Sequence, residues 1–317
     1  MKAFNHINAK TLVEAKTALA GGKANLIAGG TDLIGLLKDN VLPTYPSTLI
    51  NIKTIPGLDY IKEEAGALKI GATTRLAEIA DNSTVNQKYT ALAQAASRVA
   101  TPHVRDMGTI GGNIAQLHRC WYFRKPENRF NCIRKGGTTC FAMMGDNRYH
   151  SIFGSVNKCI AVHPSDTAPA LIALNAKIVT TTRTINAENF FDVKVPVSTV
   201  LAPGEMITEI QVPTPPAGAK SAFIKFAIRK SIDFPIVNCA VMVGGSAPRI
   251  CLNAVAPRPY RATKAEAAIA GKPINEANAE AAGAAAVEDA KPLTSTKYKV
   301  QIAKTLVKRA LLATMDS

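Results

Sequence analysis

Four cysteines, Cys120, Cys132, Cys140 and Cys159, fall in a stretch that opens on a glycine-rich turn and closes on an acidic one. The turn reads Arg105-Asp106-Met107-Gly108-Thr109-Ile110-Gly111-Gly112-Asn113, and the stretch ends at His163-Pro164-Ser165-Asp166. Glycine admits positive φ and lets backbone N–H groups approach a ligand with no Cβ in the way, which suits a phosphate. Thiolates are soft ligands for iron or zinc. Their adjacency suggests a nucleotide cofactor held beside a metal centre.

A second glycine turn lies upstream, at Gly29-Gly30-Thr31-Asp32, between a predicted strand over 25–28 and a predicted helix over 33–38. A strand, turn and helix start of this kind presents N–H groups to a pyrophosphate. It lacks the G-x-G-x-x-G spacing of a Rossmann dinucleotide site, and an ordinary tight turn has the same composition.

The cysteines are spaced C-x11-C-x7-C-x18-C. Structural zinc usually takes paired C-x2–4-C knuckles, which are missing, and six cysteines in 317 residues is not the density of a disulfide scaffold. Spacing alone leaves a metal cluster, disulfides in an exported chain and simple burial open. His103, His118, His150 and His163 lie nearby, where turn histidines more often hydrogen-bond than ligate. Cys239 and Cys251 sit in apolar, strand-like runs and read as buried free thiols.

The hydrophobic fraction of 47% supports two or three compact units. No window reaches the unbroken apolar length of a membrane span, and the amino terminus leads into a polar helix, not a signal-peptide core. The formal charge of +15 raises nucleic acid as a partner. The basic residues are spread, however, with only short local concentrations such as 129–135 and 297–309, aromatics are 6%, and no zinc-finger or RNA-binding motif is visible. Acidic partner subunits account for the charge more economically.

Around these residues the chain supplies positioning elements. Thr11-Leu12-Val13-Glu14 is a capping-box pattern that starts a helix over 12–20, stopped by Gly21-Gly22. Strands are expected at 48–52 and 68–70, and helices at 76–80 and 89–99, with Pro102 ending the latter. After Asp166 follow a helix over 168–175, a strand over 177–182, a core pair Phe190-Phe191 and a strand over 206–212. The run 213–218 is proline-dense and reads as a linker. Beyond it, strands at 223–228, 236–243 and 250–255 form a meander, followed by helices at 264–270, 277–288 and 297–313. Strands followed by helices make an α+β domain.

Four motifs carry a resemblance: Ala28-Gly29-Gly30-Thr31-Asp32-Leu33; Thr109-Ile110-Gly111-Gly112-Asn113; Ser165-Asp166; and Phe223-x-Lys225-x-x-x-Arg229-x-x-x-Asp233-Phe234. In that order they resemble the flavoprotein subunit of molybdenum hydroxylases of the xanthine dehydrogenase family, over nearly the whole chain. The resemblance implies an α+β fold of the vanillyl-alcohol-oxidase type. Residues 1–55 and 56–216 would be two FAD-binding subdomains, the second with an insert at about 117–162, and residues 217–317 a C-terminal α+β domain.

FAD would contact Leu26, Ile27, Ala28, Gly29, Gly30, Thr31, Asp32 and Leu33 at the first turn. At the second it would contact Arg105, Thr109, Gly111, Gly112 and Asn113. The two turns would act as paired backbone donor arrays on the pyrophosphate. Ser165 and Asp166 would approach the ribityl hydroxyls, and Arg229 or Lys230 the ring. Asp106 stands where the family more often has Asn.

In ordinary members the Gly-Gly-Asn turn runs quickly into Ser-Asp, whereas here 117–162 intervenes with its four cysteines. This resembles the minority type, represented by 4-hydroxybenzoyl-CoA reductase and a periplasmic aldehyde oxidoreductase, whose flavoprotein subunit carries an extra [4Fe–4S] cluster. The implied ligands are Cys120, Cys132, Cys140 and Cys159.

The implied partners are a large molybdenum-cofactor subunit, a small subunit with two [2Fe–2S] clusters and an external electron acceptor, with no nucleic acid. Cytoplasm, or periplasm by export with a signal-bearing partner, is the expected compartment. The rival reading is a basic nucleic-acid-binding protein with a structural four-cysteine metal site.

Overall fold

The computed structural model describes residues 1–192, 198–245 and 247–315. Three short parallel strands carry the first glycine turn. β1 (Asn5–Asn8), β2 (Ala24–Ile27) and β3 (Thr48–Asn51) pair in the order β1-β3-β2, with Thr48 opposite both Asn5 and Ala24. Parallel neighbours need crossovers; α1 (Leu12–Ala20) and α2 (Leu33–Lys38) lie in them. Thr11 Oγ1 accepts from the Glu14 N–H at 3.1 Å, while Glu14 reaches back one residue further than a capping box, to the Lys10 N–H. Ala15, Ile50, Ile52, Ile55 and Leu58 form a small core here, closed by Met206 from further along the chain.

The next unit opens with β4 (Ile61–Glu64) and β5 (Ala67–Gly71), followed by α3 (Leu76–Asp81), α4 (Ser83–Lys88), α5 (Thr90–Ser97), α6 (Pro102–Arg105) and α7 (Ile110–Ala115). The cysteine segment, containing the single turn α8 (Phe141–Met144), comes next. Then α9 (Thr167–Ala173), β6 (Lys177–Thr180), β7 (Thr184–Asn186), α10 (Ala187–Phe190) and β8 (Ile207–Pro213) complete it. Its sheet is antiparallel in the order β4-β5-β8-β6-β7. Ile210 lies opposite both Ile70 and Ile178, and Val212 opposite Leu68, so alternate positions give one apolar face. That face is fully buried with Leu76, Leu92, Leu171, Phe190 and Phe191.

The C-terminal unit is a four-stranded meander, β9 (Lys220–Phe226), β10 (Val237–Val243), β11 (Arg249–Asn253) and β12 (Tyr260–Arg261), in the order β12-β11-β10-β9. Helices α11 (Thr263–Ile269), α12 (Glu276–Ala285) and α13 (Lys297–Leu312) cover it, α13 burying Ala303, Leu306, Val307 and Ala310. Ala91, Ala95, Ala170 and Ala173 on α5 and α9 meet Phe223 and Ala240 of the meander, small residues that let the helices approach it closely.

Several elements differ from expectation. Pro102 does not end the preceding helix, which stops at Ser97; it starts α6, where proline at the first turn forfeits no hydrogen bond. The edge strand β4 escapes a periodicity reading because three of its four residues are exposed. Helix α4 is polar and buries only Val85, and β12 is two residues long. Among the described residues, no helix is long and apolar enough to cross a membrane.

Candidate functional site

The two glycine turns meet back to back. A Cβ on Gly29 would lie 2.0 Å from the Met107 carbonyl oxygen, and one on Gly111 would lie 2.8 Å from that of Ala72. These glycines therefore permit close backbone approach within the protein. Gly30 adopts φ +70°, and a Cβ there would meet the Ile34 side chain at 2.7 Å.

The donor chemistry of the turns is unequal. At the second turn the N–H groups of Ile110, Gly111, Gly112 and Asn113 donate to Thr74 O, Ala72 O, Thr109 Oγ1 and Thr109 O. At the first, the N–H groups of Gly29, Gly30, Thr31 and Leu33 have no acceptor among the described residues. One free donor array and one rigid wall replace the two arrays expected.

Between the turns opens a cavity of about 540 Å³. Leu26, Ile27, Ala28, Gly29, Gly30, Thr31, Asp32 and Leu33 line it, with Thr109, Gly111, Gly112, Asn113 and Asp166. Asn113 is oriented by Ser165 Oγ and by Thr167 Oγ1 at 2.8 Å, both donating to its Oδ1. Asp166 is buried, and its carboxylate accepts from Lys225 Nζ and Asn238 Nδ2, each at 2.7 Å. Burial pushes this carboxyl up from the ordinary range while the Lys225 ammonium opposes the shift.

Four expected contacts do not line the cavity. Arg105 donates to Val99 O at 2.8 Å, tying α6 to the end of α5. Ser165 is fully buried behind Asn113. Arg229 points to solvent and pairs with Asp233, and Lys230 is exposed. Their neighbours Ile232, Asp233 and Phe234 line the wall instead.

Other lining residues were not anticipated: Arg119, Pro164, Leu201, Glu205 and Met206. Arg119 stacks its guanidinium over Phe234 at 4.5 Å, and its buried Nε has no partner among the described residues. Glu205 is gripped by Arg183, Thr180, Thr182 and the Ala202 N–H, and its carboxyl is held down at about 2, chiefly by Arg183. The only sequence signal for it was the turn Pro203-Gly204.

The four cysteines converge on a second cavity of about 10 Å³, walled also by Tyr122, Phe123, Ile133 and Phe141. Gly136, at φ +90°, and Gly137, where a Cβ would lie 2.0 Å from Asn131 O, fold the chain tightly between Cys132 and Cys140. A tight turn at Asn157 and Lys158, both with positive φ, precedes Cys159.

The surroundings hold two cations, Arg134 and Lys135, and the imidazole of His150, which burial keeps neutral with its pKa lowered to about 4. Arg134 Nε lies 3.0 Å from Cys159 Sγ, His150 Nε2 lies 3.2 Å from Cys120 Sγ, and the buried Lys135 Nζ has no hydrogen-bond acceptor among the described residues. Burial raises the Cys120 thiol to about 11, while a hydrogen bond from Cys159 lowers Cys140 to about 6. Among the described residues, no group of three or more His, Cys, Asp or Glu is arranged to hold a metal ion. Cys239 and Cys251 are buried in the meander, away from this cavity.

Residues 2–215 match the family described as the FAD binding domain in molybdopterin dehydrogenase, and residues 222–314 the CO dehydrogenase flavoprotein C-terminal domain. The chain belongs to this flavoprotein family. It is 34% identical to the aldehyde oxidoreductase FAD-binding subunit PaoB of Escherichia coli K12, with 96% of each chain covered. It is 30% identical to the carbon monoxide dehydrogenase medium chain of Hydrogenophaga pseudoflava, covering 98% of this chain and 96% of that one. A solved structure of the Hydrogenophaga pseudoflava enzyme superposes with a TM-score of 0.77 over 99% of this chain and 98% of that one. Quinoline 2-oxidoreductase from Pseudomonas putida 86, 24% identical with a TM-score of 0.76, shares the fold.

As a family member the chain is an FAD-binding oxidoreductase subunit of the molybdenum hydroxylase class. The two family matches span nearly all of it, and the nucleic-acid reading gains no support from them.

Proposed function

We propose that this chain is the FAD-carrying electron-transfer subunit of a three-subunit molybdenum hydroxylase, and that its cysteine segment holds a [4Fe–4S] cluster. The observation that carries the first part is the 540 Å³ cavity between two glycine turns, one of them with free N–H groups. Its size is that of a small-molecule cofactor site. When bound, FAD exchanges electrons between a partner's [2Fe–2S] clusters and an external acceptor.

The chain's own residues bind and orient. The N–H groups of Gly29, Gly30, Thr31 and Leu33 would hold the pyrophosphate, and the half-buried Arg119 guanidinium would add positive charge beside them. Asn113, pinned by Ser165 and Thr167, and the side of Asp166 left open by Lys225 and Asn238 meet the ribityl region. Ile232 and Phe234 keep water from the cavity rim. Arg229 and Lys230 stand outside, exposed to solvent. Residues 1–55 and 56–216 are taken as the two FAD-binding subdomains and 217–317 as the C-terminal domain.

The [4Fe–4S] reading is supported by four cysteines, and no others, lining one cavity with Arg134, and by the nearby buried ammonium of Lys135. A cube takes one thiolate at each iron corner, so its ligands need not converge on one ion. A cationic shell suits the negative charge of a four-thiolate cluster.

A large molybdenum subunit and a small [2Fe–2S] subunit are the proposed partners, in the cytoplasm or, by export with a signal-bearing partner, in the periplasm. The test is the visible spectrum and iron content of the subunit prepared without air. Flavin bands with an iron–sulfur shoulder and about four irons per chain are expected. Flavin without iron overturns the cluster alone, and a colourless protein overturns both parts.

A further inference from the structure

Asp32 occupies the N-cap position of α2, where an aspartate ordinarily accepts from the helix's own N–H groups, yet it makes no such bond. Its carboxylate turns to the cysteine segment instead. Oδ2 accepts from the Leu117 N–H at 3.0 Å, and Oδ1 lies 2.8 Å from an Nη2 of both Arg119 and Arg124. Those arginines bracket the first cysteine. Arg119 precedes Cys120 and lines the large cavity, while the Arg124 N–H donates to Cys120 O at 2.9 Å and its Nε to His118 O at 2.9 Å.

Two further contacts join the same elements. On the flank of α2, Leu36 and Val41 pack with Phe123 and Cys132. At its end, the Glu127 N–H donates to Asp39 O and Asn40 Nδ2 to Glu127 Oε1, both at 2.8 Å. A helix of six residues has no stability of its own, so its placement follows from what it packs against. Here one end carries the free N–H groups of the first glycine turn, and the flank rests on a wall of the cysteine cavity.

We propose that the cysteine segment and the first glycine turn are one coupled unit, with Asp32 the positioning residue through which the filled cysteine site sets the affinity for FAD. The inference rests on the cluster reading above. A cluster needs more room than the roughly 10 Å³ that the cysteines enclose here, so loading it repositions Cys120 and Cys132 and then holds them, which fixes Arg119, Arg124 and Phe123, which fix Asp32 and α2, and so the donors at Gly29 to Leu33. Coupling of this kind is reciprocal: bound FAD must strengthen retention of the cluster by the same factor.

The test is a cycle on the purified full chain or its complex, stripped of flavin and titrated with FAD. Wild type and Asp32→Asn are each measured with iron present and after iron removal by chelation. Removing iron from wild type weakens FAD binding about tenfold, within the usual range for coupled sites. Asp32→Asn binds FAD more weakly at the start, and iron removal changes it less than about twofold, because the link is already cut. A merely structural aspartate would leave the iron effect as large as in wild type. Should Asp32→Asn not fold, Arg124→Gln cuts the same contact from the other side and is read in the same way.

Equal iron effects in wild type and variant overturn the proposal, as does an iron-loaded wild type whose FAD affinity ignores iron removal. A protein that never contains iron overturns the cluster reading and this inference with it, a result told apart by iron analysis before the titrations.

Discussion

The two cavities of this subunit are shaped by different means. The larger is bounded by backbone brought into contact at glycines, with Gly29 against Met107 and Gly111 against Ala72, so its form is set by main chain that side-chain rotamers cannot alter. The smaller is bounded by side chains on a segment with little regular structure, Cys120, Phe123, Cys132, Phe141 and Cys159, drawn together by turns at Gly136 and Asn157. The first is a rigid cradle. The second has room for about one water, and the ammonium of the neighbouring Lys135 has no hydrogen-bond acceptor among the described residues. A cradle made of backbone should fail when a Cβ is added, and a site made of side-chain ligands should fail when a ligand atom is exchanged.

The largest effect is expected at the cysteines. Serine in place of Cys120, Cys132, Cys140 or Cys159 should remove essentially all of about four irons per chain, while Cys239→Ser and Cys251→Ser keep it. Iron analysis on protein prepared without air checks this, and iron that survives Cys140→Ser unchanged would sink the assignment.

Next comes the cradle. Gly29→Ala places a methyl 2.0 Å from Met107 O, far inside van der Waals contact, and should lower stability by about 3 kcal/mol, with FAD occupancy falling sharply. Thermal unfolding and the ratio of flavin to protein absorbance measure both. Full occupancy at wild-type stability would mean that the turns do not meet as described.

A smaller effect is expected at the far wall of the larger cavity. Glu205 titrates at about 2, below its ordinary value, so its ion pair adds stability that is complete above about pH 4.5 and disappears as pH falls towards 2. Glu205→Gln should therefore cost about 2 kcal/mol at pH 7, allowing for screening at the half-exposed Arg183, and progressively less from pH 5 to pH 3. Urea unfolding at these pH values is the measurement. A gap that does not narrow in acid would assign the effect to packing.

The smallest concerns the second turn. Thr109 Oγ1 caps α7 through the Gly112 N–H at 3.2 Å, and Thr109→Ala should cost about 1 kcal/mol. If this turn is a wall and not a donor array, FAD affinity should fall by no more than the loosened helix implies, and a far larger loss would restore it as a direct donor.

What the sequence determined by itself is what is local or repeated in order. The capping threonine of α1, the apolar strand runs of the meander and the amphipathic α13 follow from neighbours a few residues apart. The two glycine turns and the four cysteines were readable as residue types at set spacings, because no other residue replaces glycine at close backbone approach and no other side chain carries a thiol.

The tertiary structure decided everything that depends on partners distant in the chain. Asp32 was assigned to the cofactor from its place in a motif, but residues more than eighty positions away occupy its carboxylate. Asp166 likewise finds Lys225 and Asn238, and Arg229 turns to Asp233 and away from the cavity while Phe234 turns in. A motif marks where a side chain stands along the backbone; which side chain of a loop faces the ligand depends on the path the loop takes, and what neutralises a buried charge depends on which distant segments pack against it.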